Sequence, residues 1–222
     1  MKNVIYFILV SLLAFTSCKK DSNPTSPTED ASTVTYSGKV YHTVKIGRQT
    51  WLKENLDVGT MIQGTANSSN NDTIEKYCYE NDTANCSKYG GLYQWDEMMQ
   101  YVTTEKAKGI CPTGWHIPTR AEFETLQATV NNNGNSLKAI GQGDLQLGGA
   151  GTDSSGFSAL IAGDHGYGGY FLDFRVAAKF WSSTEYDAYL AANVSLWTWD
   201  SVIFFFGESK EYGFSIRCLK DE

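Results

Sequence analysis

The chain is 222 residues long, and its 18 Lys and Arg stand against 25 Asp and Glu, for a formal net charge of −7. That balance makes the chain a poor candidate for nucleic acid or bare anionic lipid surfaces, because both select for clustered cations. The length suits one domain or at most two, and 14% aromatic residues with 21 glycines predict an aromatic core under a loop-rich exterior.

The N-terminus carries the first signal. Lys2 precedes an almost wholly apolar run, Val4 to Phe15, and Thr16 and Ser17 stand directly before Cys18. This is the layout of a secretory signal peptide. Leu13-Ala14-Phe15-Thr16-Ser17-Cys18 resembles a bacterial lipobox, with Phe15 in place of the usual leucine. The expectation is a signal peptide over residues 1–17 and an acylated Cys18 as the mature N-terminus. The apolar run is shorter than the ~20 residues that span a bilayer. Acyl chains, at about 0.8 kcal/mol per buried methylene, would hold the protein on the membrane instead. The expected location is the cell envelope, lipid-anchored at the outer membrane and exposed at the surface. Residues 18–33, rich in Ser, Thr, Pro and Asp, then form a flexible tether, and one domain occupies 34–222.

Within that domain, Val40 to Ile46 and Gln49 to Leu52 read as strands joined at Gly47-Arg48. Asn67 to Asp72 reads as a loop. A helix is predicted from Asp96 to about Thr104, with Met98, Met99 and Val102 near one face. A second starts after Thr119, where Thr119 and Glu122 form a capping box and Phe123, Leu126 and Val130 keep helical spacing. Later strands are predicted at Phe180 to Glu185, Ala191 to Leu196, Val202 to Phe206 and Gly213 to Cys218, the last two as a hairpin. The run Ile203-Phe204-Phe205-Phe206 is apolar enough to predict a central strand covered on both faces. The fold class is α+β: two helices with a twisted antiparallel sheet and long irregular loops.

With Cys18 assigned to lipid, Cys78, Cys86, Cys111 and Cys218 remain. An even number in an exported chain implies two disulfides. Of three pairings, Cys78–Cys86 is favoured because it closes a small loop of turn-forming residues, and Cys111–Cys218 because it ties the middle of the domain to its end. No CxxC spacing or neighbouring histidine suggests zinc.

Several blocks then fall in a recognisable order: Ile46-Gly47-Arg48-Gln49-Thr50-Trp51-Leu52-Lys53-Glu54-Asn55-Leu56, Tyr89-Gly90-Gly91-Leu92-Tyr93-Gln94-Trp95, and Cys111-Pro112-Thr113-Gly114-Trp115-His116-Ile117-Pro118-Thr119. Gly156-Phe157-Ser158-Ala159-Leu160, Phe180-Trp181-Ser182-Ser183-Thr184 and Gly213-Phe214-Ser215-Ile216-Arg217-Cys218 follow. Together they resemble the Fibrobacter succinogenes major paralogous domain (FISUMP), common in surface lipoproteins of Bacteroidota. Ile161 departs from the pattern, which often has proline there. The resemblance implies a C-type-lectin-like fold, related in architecture to the formylglycine-generating enzymes. It brings no established activity.

Catalytic patterns are missing. His42, His116 and His165 form no paired ligand spacing, GxSxG is absent, and Gly141-Gln142-Gly143 lacks the third glycine of a dinucleotide turn. A hydrolase would need two carboxylates across one cleft, and no such pair is legible. The Glu-Pro-Asn and Trp-Asn-Asp triplets of calcium-dependent sugar binding are also absent, so neither metal nor cofactor is expected. Aromatic rings can stack on sugar faces. The candidate ligand-binding residues are therefore His165, Tyr167 and Tyr170 in one glycine-rich loop, and Trp197, Trp199 and Asp200 in another. The expected function is non-enzymatic binding of a glycan or surface protein; a structural or accessory role in an envelope complex is the alternative. Asp72-Thr73-Ile74 and Asp82-Thr83-Ala84 resemble short O-glycosylation acceptors.

Overall fold

A computed structural model describes residues 32–222; the expected leader, Cys18 and nearly all of the tether lie outside the described residues. The first strands, β1 (Thr33–Tyr36) and β2 (Lys39–Ile46), form an antiparallel hairpin over Ser37-Gly38, both with positive φ. β3 (Gln49–Leu52) follows through Gly47-Arg48, as the turn signal predicted. β4 (Thr60–Met61) pairs in parallel with β5 (Glu75–Lys76). Helices α1 (Thr83–Tyr89) and α2 (Trp95–Met98) come next, then β6 (Trp115–His116) and α3 (Arg120–Thr129). β7 (Asp164–His165) pairs with β8 (Phe171–Leu172). β9 (Ala177–Glu185), β10 (Leu190–Trp197), β11 (Ile203–Ser209) and β12 (Leu219–Lys220) complete the chain.

The larger sheets have the orders β1-β2-β3-β12-β6 and β11-β10-β9, and all their neighbours are antiparallel. The domain is thus a mixed α and β structure with few helices and curled antiparallel sheets. One apolar cluster gathers Trp95, Met98, Trp181 and Phe214 with the Cys111–Cys218 bridge. The other packs Phe123 and Leu126 of α3 against Phe180, Val194 and Ile203. Both favoured disulfides are present, Cys78–Cys86 and Cys111–Cys218.

Helix α3 starts with the capping box that Thr119 and Glu122 predicted. The helix expected from Asp96 ends at Met98 instead. Gln100 and Tyr101 take left-handed φ, and the buried Glu97 carboxylate accepts the Tyr101 hydroxyl and the Glu75 amide. Val102 is left exposed. A third helix, α1, occupies the segment read as a loop. Asp82 caps its N-terminus by accepting from the Ala84 amide, and Gly90 at φ 86° ends it. This also places Asp82-Thr83-Ala84 at a helix start.

Two strand expectations are corrected. β11 is an edge strand, not a central one: Ile203 is buried, whereas Phe206 is exposed. Its Phe204 and Phe206 rings lie 5.9 Å apart on one face, and the Arg120 guanidinium lies over Phe205. β11 also does not pair with Gly213–Cys218. That segment runs through the junction of the sheets and bonds piecemeal, with Phe214 against Tyr93, Ser215 against Phe180, and the Ile216 carbonyl on the Leu56 amide. Phe214, Ile216, Arg217 and Cys218 are fully buried there.

Candidate functional site

The blocks that carried the resemblance converge on the interior. Arg217 donates from Nε to Asn55 Oδ1 (3.0 Å), from Nη1 to the carbonyls of Leu52 (3.1 Å) and Phe157 (2.5 Å), and from Nη2 to that of Ser158 (3.3 Å). Its guanidinium lies 4.4 Å from the Phe157 ring centroid. Burial without a carboxylate partner pulls its pKa down to about 9. Asn55 also donates to the Tyr89 carbonyl and Ser215 Oγ. Trp95 Nε1 donates to the Ser182 carbonyl, and Trp181 Nε1 to that of Tyr93. Five of the six blocks are thereby bonded to one another, which is an architectural task.

The remaining block holds His116 between two carboxylates, Asp221 at 2.6 Å and Glu122 at 3.2 Å, with Lys106 at 2.8 Å on Glu122. Burial favours neutral His116, but the bonds from Glu122 and Asp221 outweigh it and raise its pKa. Burial would raise the Glu122 pKa, yet bonds from His116, Lys106 and the Thr119 amide take it down to about 2. This cluster latches the chain's end to the N-terminus of α3.

The six ligand-binding candidates divide between two places. His165 is not on a rim. It is 2% exposed, stacks on Tyr77 at 3.7 Å and shares a bond with the Gly64 carbonyl through Nε2. The pairing of His165 with Gly213 carries that part of its loop inward. Tyr167 and Tyr170 stay outside, at 72% and 71% exposure. Beside His165, Asp164 is fully buried, bonds Lys179 through Oδ2 and has its pKa pushed up by burial to about 6.

Trp197 and Trp199 stack on each other at 4.8 Å, and Trp199 is 45% exposed. Asp200 is half-buried, its Oδ1 accepting from the Val202 amide two residues on. Beneath this loop, fully buried Lys138 donates from Nζ to the carbonyls of Trp197 and Asp200, both at 2.8 Å. Burial lowers its pKa to about 8.

Thr198 opens onto a cleft of about 840 Å³. Its walls are Lys88 and Tyr89 of α1, the loop 141–146, Ile161, Arg175 and Thr198. The loop is pressed against the Thr198 backbone, where Asp144 N donates to the Thr198 carbonyl at 2.7 Å. Side chains do not fit there: a Cβ on Gly149 would lie 1.9 Å from the Thr198 carbonyl, and one on Gly143 would lie 2.1 Å from that of Gly149. The amide of Ile161 donates to Gln142 Oε1 at 2.9 Å, a bond that proline would lack. Leu145 is 83% exposed, and Ile140 and Leu147 of the same stretch are exposed as well.

Sequence reasoning missed Lys88, Arg175 and this loop. The signal for the loop was present as Gly141, Gly143, Gly148 and Gly149 interleaved with Leu145 and Leu147. Nothing local marks Lys88 and Arg175, which line one cleft only in the fold.

The family model of the Fibrobacter succinogenes major domain matches residues 44–220, most of the chain. No curated protein and no solved structure matches.

Proposed function

The chain belongs to the Fibrobacter succinogenes major domain family, and from that premise we propose a lipid-anchored envelope protein that binds a glycan or protein ligand through the late loops of a C-type-lectin-like domain, without catalysis. The supporting observation is a division of labour. The shared blocks bond one another in the interior around Arg217, whereas Tyr167, Tyr170 and Trp199 stand exposed in loops and the cleft opens at Thr198. Few helices beside curled antiparallel sheets with long loops agree with a lectin-like architecture. The anchor rests on the lipobox pattern ending at Cys18.

Two measurements test the reading. Mass spectrometry of the membrane-extracted protein is expected to find acyl chains on an N-terminal Cys18; an unmodified thiol on a cytosolic chain would refute the anchor. A glycan array probed with the mature chain is expected to show selective signals that fall when Trp199 is replaced by Ala. A blank array beside tight capture of an envelope protein would remove the sugar half. The apolar side chains exposed at Ile140, Leu145 and Leu147 favour a second reading, an accessory subunit seated against a protein partner. Crosslinking in intact cells separates the two, since a chain that stays monomeric at the surface contradicts that partner.

A further inference from the structure

Among the described residues, Lys39, Lys76, Lys106, Arg120, Lys179 and Lys210 are each paired with a carboxylate. Lys88 and Arg175, both exposed, have no carboxylate of the described residues at ion-pair distance, and of the cations without such a pair these two line one cleft. Each lies over an aromatic ring instead: Lys88 Nζ is 4.9 Å from the Tyr89 centroid, and Arg175 Cζ is 5.5 Å from that of Phe174. The two rings touch edge-to-face at 5.1 Å, and Phe174 stacks on Tyr79 at 4.6 Å. An aromatic platform thus sets two cations beside one cleft.

Both cations sit on constrained backbone. The Cys78–Cys86 bridge ties α1, which carries Lys88, to the segment before it. Asp173 and Arg175 hold left-handed φ of 56° and 59°, while the amides of Val176 and Ala177 donate to the Asp173 carbonyl. Left-handed residues cost of order 1 kcal/mol each and are retained where the surroundings fix them. The acid on the wall, Asp144, turns to its own loop, its Oδ1 accepting from the amides of Gln146 and Leu147. On a chain of net charge −7, the cleft therefore presents two unpaired cations with an apolar side chain, Leu145, at its edge.

We propose that this cleft is an oxyanion subsite that takes the carboxylate of an acidic sugar, with Lys88 and Arg175 as its donors and Leu145 against the ring's CH face. The inference rests on the glycan-binding reading and narrows it to charged saccharides. Arg offers a carboxylate two parallel N–H donors, and Lys adds a point charge.

The test is titration calorimetry of the detergent-solubilised full chain with trigalacturonate and sialyllactose, each beside its neutral counterpart, the methyl ester or lactose, and with inorganic phosphate. At least one acid sugar is expected to bind about tenfold or more tighter than its neutral form. Lys88→Gln and Arg175→Gln should each weaken that binding about tenfold with an unchanged melting temperature, and 0.5 M salt should erase most of the difference. Equal binding of acid and neutral sugars, or full affinity in both variants, overturns the subsite and leaves glycan binding standing. Phosphate bound as tightly as the acid sugar overturns the saccharide assignment. Silence towards every sugar overturns both this inference and the glycan reading.

Discussion

Arg217 and Arg175 are both guanidiniums without a carboxylate partner, and they stand at opposite ends of this molecule's design. Arg217 is fully buried and bonds three carbonyls and an amide oxygen, so four of its five N–H donors are taken by the chain itself. Arg175 rests against a ring at the cleft and bonds no side chain or carbonyl of the described residues. The contrast separates cations that close the fold from cations left open to something outside it. The same division extends to the disulfides. Cys111–Cys218 lies in the core, and Cys78–Cys86 steadies the helix at the cleft wall.

The sharpest way to break this comparison is to remove the bridges separately. On the chain-entropy view, the bridge of sequence separation 107 contributes about 5 kcal/mol and that of separation 8 about 2.5 kcal/mol. Replacing Cys111 and Cys218 by Ala should therefore lower urea stability by nearly twice as much as replacing Cys78 and Cys86. The small-loop variant should lose ligand affinity out of proportion to its stability. Equal losses, or a small-loop variant with intact binding, would remove the division between core and cleft.

Replacing Arg217 by Met comes next in size. It leaves the carbonyls of Leu52 and Phe157 and Asn55 Oδ1 buried without their donors. A loss of about 3–4 kcal/mol in chemical denaturation is expected. Arg175→Met, by contrast, should stay within about 0.5 kcal/mol of the parent, because nothing buried depends on it. If the two substitutions cost the same, Arg217 is not the hub its bonds describe.

Much of the interior was legible in the sequence, for local reasons. Thr119 and Glu122 announced α3, and Gly47-Arg48 announced the turn between β2 and β3. Counting cysteines with loop length gave both bridges. Failures began where one signal served two structures. Asp82, Asn85 and Ser87 are loop formers by composition, and only the capping Asp82 with Gly90 beyond the last turn marks α1 as a helix. Three consecutive phenylalanines look alike in a central strand and in an edge strand whose rings pack on each other. The cleft was the least legible part, since Lys88 and Arg175 are 87 positions apart and converge only through the Tyr89–Phe174 contact.

The pH dependence sharpens the comparison from the latch side. Glu122 has a folded pKa of about 2 against an ordinary 4.5, so the folded state releases its proton more readily. Its contribution is complete above about pH 4.5 and is lost as the pH falls towards 2. His116 has a raised folded pKa, so its contribution is complete below 6.5 and is lost as the pH rises through the folded value. The latch is therefore strongest between about pH 4.5 and 6.5. Glu122→Gln should flatten the acid limb of a stability profile by about 2 kcal/mol, allowing for solvent around the group. A variant profile parallel to the parent's would show that the latch contributes nothing.

The smallest effect on stability is expected at the exposed tryptophan that follows Thr198. Trp199 is 45% exposed and, among the described residues, stacks only on Trp197. Trp199→Ala should cost about 1 kcal/mol or less in unfolding, because a partly solvated ring pair gives up little on truncation. The loop itself should stay in place, held by Lys138 on the carbonyls of Trp197 and Asp200. Amide exchange of Thr198 and Asp200 is therefore expected to match the parent, while ligand affinity falls. Exchange that speeds up throughout the loop would mean that Trp199 holds the loop together and that the lost affinity reports folding, which would erase the distinction between the closed interior and the open edge.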